Sequence, residues 1–277
     1  MNARAAAAVL MLFVWSRAAG AADVCAPGDD RAAGPLAGGI GPADFGAVPE
    51  TCSATDAALR TRASLVVAPG MPDYFGSIIG TATLSGRYQL AEHSTLSAAA
   101  DVFTYRYINN ANLASHGPSF GPATVGFHQS FVLGAATATA VYARLLVPLD
   151  TARQSGAETG GELGGAIRAA VGSRLVLDGG VSLAAPIDIV AGQTHGRFEA
   201  GALAEGWVRL RPWVSLGGGA DLRLRVAPSF DLISLVPRVG ARFAVRRRFW
   251  TAILVELPVA GSDRTDLIGG LYAGLER

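Results

Sequence analysis

Between Ile78 and Leu90 the chain alternates with a period of two. Ile78, Gly80, Ala82, Leu84, Gly86, Tyr88 and Leu90 share one parity, while Thr81, Thr83, Ser85, Arg87 and Gln89 share the other. A helix would spread those polar residues around its circumference, so the run reads as a β-strand with one apolar and one polar face. Its length, about 13 residues, exceeds the five or six of an ordinary globular strand and suits a tilted membrane-spanning one of about 9 to 11.

The alternation recurs through the rest of the chain. Arg60, Arg62 and Ser64 oppose Leu59, Ala63 and Leu65; Arg168 opposes Leu163, Ile167 and Val171; Asp178 and Ser182 oppose Leu177, Val181 and Leu183. Glu199 and Glu205 oppose Ala200, Ala202 and Val208, while Asp221, Arg223 and Arg225 oppose Ala220, Leu222 and Leu224. Runs near 59–68, 77–91, 94–108, 120–133, 136–148, 161–173, 174–187, 196–210, 213–227, 231–246, 249–259 and 266–276 make about 12 strands, an even number. Short turns at 92–93, 134–135, 172–174, 211–212 and 246–248 alternate with longer loops, clearest at 109–119 and 150–160. A sheet in lipid cannot leave its edge donors and acceptors unpaired, so the fold expected is all-β: a closed antiparallel up-and-down transmembrane β-barrel.

Composition agrees with that fold and excludes others. Half of the 277 residues are hydrophobic, 16% are charged and 35 are Gly, which argues against a charged helical bundle or a disordered chain. All 23 basic residues are Arg, balanced by 22 acidic ones, so there is no clustered basic excess for nucleic acid. The first residues carry Arg4, an apolar stretch from Ala5 to Trp15 and the small residues Ala19, Gly20 and Ala21, the pattern of a secretory signal peptide over 1–22. Residues 23–58 form a Gly-, Pro- and Ala-rich acidic periplasmic extension, readable either as a solvated linker or as a plug entering the lumen. Its Cys25 and Cys52 are the chain's two cysteines, and an oxidising compartment favours a disulfide between them over a metal site. The barrel then occupies 59–277.

On the polar parity the expected lumen-lining residues are Arg60, Arg62, Arg87, Asp101, Arg144, Arg168, Asp178, Arg197, Glu199, Glu205, Arg209, Asp221, Arg223, Arg225, Arg238, Arg242 and Glu256. Arginine predominates among them, and rings of Arg favour anions. On the apolar parity Leu84 and Leu222 mark the lipid side, where Arg would be costly, and Arg at Thr83 or Gly219 is expected to be mild by comparison. Tyr88, Phe131, Phe243, Phe249 and Phe198 fall where a membrane girdle requires aromatics, whereas Trp207, Trp213 and Trp250 have the opposite parity.

The region from Leu59 to Arg277 resembles Gram-negative outer-membrane β-barrel proteins, although it ends Leu275, Glu276, Arg277 where those commonly end on an aromatic residue. Within them, YARLLVPLDTARQSGAETGGELGGAIRAAVGSRLVLDGGVSL, with Pro148 and Asp150, is similar to transporter-like barrels of the phenol meta-pathway type. The resemblance implies an outer-membrane location, contact with lipid and lipopolysaccharide, insertion by the barrel-assembly machinery, and passage of small solutes. No cofactor, catalytic residue or metal ligand is expected. The chain lacks a Walker P-loop, H-E-x-x-H, G-x-S-x-G and Cys-x-x-Cys. His128 and Ser130 share the inward parity, away from the lipid a lipid-acting enzyme would need. The alternatives to a passive channel are a structural or surface-binding barrel with an occluded lumen and, further off, such an enzyme.

Overall fold

The computed structural model describes residues 51–52, 55–67, 75–108, 123–149, 157–190, 193–246, 249–261 and 267–276. The signal peptide, Cys25, the loops over 109–122 and 150–156, and the turn residues 247–248 lie outside the described residues.

The alternating runs become long antiparallel strands: β1 (Asp56–Val67), β2 (Phe75–Ala91), β3 (Ser94–Ile108), β4 (Ala123–Gly134), β5 (Thr137–Val147) and β6 (Ala157–Val171). They continue as β7 (Leu175–Val190), β8 (Gln193–Gly196), β9 (Phe198–Arg211), β10 (Val214–Ala227), β11 (Asp231–Arg246), β12 (Phe249–Glu256) and β13 (Leu267–Glu276). The four-residue β8 is new relative to the sequence reading. It pairs with the end of β7 alone, and β7 turns instead to β9 along most of its length.

The other strands close on themselves. β1 pairs with β2 on one side and with β13 on the other, from Asp56 opposite Glu276 to Leu65 opposite Leu267, while β6 pairs with both β5 and β7. The result is a closed barrel of 12 strands, each paired with a neighbour on both sides, as a sheet in lipid requires. Most boundaries fall within about three residues of the periodicity limits, and β1 starts at Asp56. Turns occupy 92–93, 135–136, 172–174 and 212–213, where Gly172 takes a positive φ of 65° that a side chain would resist.

Burial alternates with the pleat. In β5 the pattern from Ala140 to Val147 is strictly buried, exposed, buried, exposed. Leu84, Val141, Leu145, Leu163, Val181, Val239, Ile253 and Leu271 are exposed on the outer wall, Leu163 at 65%. A soluble protein rarely exposes apolar surface so continuously, so this wall faces hydrocarbon. Tyr88, Phe131, Phe198 and Phe249 are exposed there too, and Phe243 is half-buried.

Candidate functional site

Among the described residues, chemistry-bearing side chains from many strands gather on the inner wall. Among the expected residues, Arg60, Asp101, Arg144, Arg168, Asp178, Glu205, Asp221, Arg238, Arg242 and Glu256 are buried. Arg62, Arg87, Arg197, Glu199, Arg209, Arg223 and Arg225 are half-buried, and none of the set stands on the exposed outer face.

Register brings opposite charges together. Residues directly opposite on adjacent strands hold their Cβ atoms about 5 Å apart, near enough for charged ends to meet. Arg168 on β6 faces Asp178 on β7, and its Nε and Nη2 donate to Asp178 Oδ1 and Oδ2 at 2.6 and 3.3 Å. Arg144 on β5 faces Glu162 on β6, and its Nη2 donates to Glu162 Oε2 at 2.6 Å while Tyr142 Oη donates to Oε1 at 3.1 Å. Arg238 on β11 faces Glu256 on β12 at 3.9 Å and also approaches Asp221 at 3.6 Å. Arg62 reaches across β13 to Glu256 at 2.5 Å.

The Arg168–Asp178 and Arg238–Glu256 pairs lie along one cross-strand row. Glu256 faces Arg238, Arg238 faces Gly219, Gly219 faces Glu205, Glu205 faces Asp178, Asp178 faces Arg168, and Arg168 faces Ala138. Gly219 is the gap in the row: a Cβ there would stand 2.3 Å from the Ala204 carbonyl and 2.6 Å from Glu205 Cβ. Thr83 is also committed, since its buried Oγ1 donates to Asp101 Oδ1 at 2.5 Å. These two facts overturn the expectation that Arg would be mild at Thr83 or Gly219, because parity reports direction but not the space available.

Toward the other ends of the strands, Arg197 lies between Asp188, to which it donates a short hydrogen bond, and Glu199 at 2.9 Å. Arg223 approaches Asp221 at 3.7 Å and Arg225 approaches Asp231 at 4.0 Å. Glu162, Asp188 and Asp231 thus join the carboxylates expected from the sequence, and they reduce the arginine excess on the inner wall. Parity had offered Glu162 and Asp188, for they share it with Arg168 and Asp178 respectively.

Aromatic residues form the second part of the inner wall. Trp207, Ala252, Leu254 and Tyr272 pack together with Trp250 against them, nearer the short-turn end. Arginines cap this cluster: the Arg242 guanidinium lies 5.0 Å from the Trp250 ring centre and Arg60 lies 5.9 Å from that of Tyr272. Trp207 Nε1 donates to Glu205 Oε1 at 3.2 Å, which ties the aromatic patch to the charged row. The opposite parity of Trp207 and Trp250 therefore reflects inward placement, while Trp213 sits exposed in a turn. His128 and Ser130 are buried on the same inner side.

No protein-family profile matches the sequence, and no curated protein matches it. Solved structures do. An outer membrane channel from Pseudomonas putida F1 superposes with a TM-score of 0.66 at 14% identity, over 86% of this chain and 100% of that one. The translocator domain of the autotransporter NalP from Neisseria meningitidis superposes with a TM-score of 0.50 at 13% identity, over 80% of this chain and 88% of that one. With the apolar outer wall, these likenesses establish the fold as that of a Gram-negative outer-membrane barrel.

Proposed function

We propose that this chain is a passive outer-membrane channel for small solutes with a weak preference for anions. The observation that carries the reading is the inner wall itself: buried and half-buried arginines outnumber the carboxylates beside them in a closed barrel with apolar walls. Confined charge with little water around it focuses its field along the lumen. That the Pseudomonas putida protein is described as an outer membrane channel supports the same reading. The side chains needed are those of the wall alone, without enzyme chemistry or a cofactor.

The rest of the proposed organisation follows. Residues 1–22 direct export, the periplasmic extension carries Cys25 joined to Cys52 and ends at residue 55, three residues earlier than the alternation suggested, and the barrel begins at Asp56, the first residue of β1. Insertion uses the barrel-assembly machinery, and the outer wall meets lipid and lipopolysaccharide.

Planar-bilayer recording under a salt gradient tests the channel. A reversal potential favouring chloride, moved toward cations by Arg238→Glu with Arg242→Glu, is expected. Cation selectivity in the unaltered protein would refute the anion preference. Absence of conductance would favour the second reading, a structural barrel with an occluded lumen, for which the complete burial of Arg168 and Ala138 on the inner wall is the specific support.

A further inference from the structure

We infer that the chain carries its own constriction: Thr51 and Cys52 lie inside the short-turn mouth of the barrel and narrow the passage between β1 and the facing β5–β6 wall. Thr51 and Cys52 are 2% and 6% exposed, and Cys52 packs with Ala138 and Ala170. Those alanines stand on the inner face of β5 and β6, beside the turns at 135–136 and 172–174. The start of β1 is anchored elsewhere on the rim, where Gln89 N near the foot of β2 donates to Thr55 Oγ1 at 3.1 Å.

Cys52 stands three positions before Thr55, a span of at most about 10 Å. The strands β2, β3 and β4 stand between β1 and β5 around the wall. A span that short seats Cys52 across the mouth from the start of β1 and not along the rim. The seat is prepared in the wall. Ala136, Ala138, Ala140 and Ala170 are all small and all buried, whereas small side chains facing an open lumen would be wetted. Ala138 also ends the charged cross-strand row beside the fully buried Arg168, so the constriction adjoins the band of charges that a solute would meet.

The inference rests on the channel reading for its effect on permeation, but not for the seat of Cys52. In the full-length C25S/A138C protein, mild oxidation should link Cys52 to position 138, seen as a cross-linked peptide by mass spectrometry. C25S/A170C repeats the test if position 138 does not tolerate a thiol. C25S/V141C, with its thiol on the lipid side, should not link. A folded, heat-modifiable barrel with both thiols alkylatable and no link at 138 or 170 would overturn the proposal.

In bilayers the linked protein should conduct less than the same protein after reduction. Equal conductance in the two states would refute the constriction. A link that forms in a protein conducting in neither state would keep the seat and remove the channel reading instead.

Discussion

Trp207 lies over Gly217, the residue facing it on β10, so closely that a Cβ on Gly217 would stand 2.2 Å from the indole. The arrangement recurs where Tyr142 covers Gly164 and Trp250 covers Gly274, each pair again directly opposite across neighbouring strands, with a built Cβ 2.4 Å from the ring. A large ring pointing straight into a crowded lumen would collide with the far wall. Laid along the wall over a residue without a side chain, it fits, which is one reason glycine recurs in strands it otherwise weakens.

Gly217→Ala should therefore destabilise the barrel by about 1–3 kcal/mol, the usual cost of overpacking. Denaturant unfolding in detergent micelles or vesicles measures it. Combining it with Trp207→Ala should cost less than the sum of the single changes, because the second removes the ring that the new methyl strikes. Additive costs would show that Gly217 matters for another reason.

Removing half of the buried Arg168 and Asp178 pair leaves a charge without its partner, so Arg168→Ala and Asp178→Ala should each cost about 3–5 kcal/mol. Arg197→Ala should cost about 1 kcal/mol or less, since Arg197 and Asp188 are each more than a quarter exposed and water screens their attraction. Similar losses in the two places would mean that the wall around Arg168 is better hydrated than its burial implies.

Much of this wall was legible before the structure. Period two assigned the faces, and hairpin geometry holds more: Arg168 and Asp178 are equidistant from Ser173 in the turn that joins their strands, so a tight β6–β7 hairpin places them opposite each other. The pair Arg238 and Glu256 is likewise symmetric about 247. Contacts set by closure were not legible. Arg62 meets Glu256 because β13 lies between their strands in a closed barrel, and its shear has no local sequence signal. The seat of Cys52 is hidden for the same reason, and the fit of rings over glycines depends on register that parity leaves open.

Leu84→Arg places a cation on the exposed outer face in mid-strand and should cost about 2–4 kcal/mol, the range for Arg near the bilayer midplane of a barrel. Leu222→Arg, on the same parity, should behave alike. Folding yield into vesicles and unfolding in urea report both. Thr83→Arg should be damaging as well, for a different reason: it removes the hydroxyl that binds Asp101 and adds bulk to a buried inner position. Thinner lipid should relieve a cation placed nearer the interface but leave Thr83→Arg unchanged, which separates the two causes.

The Cys25 to Cys52 disulfide is tested most directly by mass spectrometry of protein isolated from the periplasmic side of assembly without reductant. A linked peptide and no alkylatable thiol are expected; two free thiols would refute the pairing. Such a bond would close a loop of about 26 residues, for which chain entropy alone predicts roughly 3–4 kcal/mol of constraint. That constraint acts on the extension, not on strand pairing, because β1 closes on β2 and β13 through its own backbone ladder. Cys52→Ala should accordingly leave a heat-modifiable barrel with its β content intact while increasing proteolysis within residues 23–50. Loss of the barrel on that change would make the extension part of the folding unit, and the contact of Cys52 with Ala138 and Ala170 would then be a structural joint of the wall.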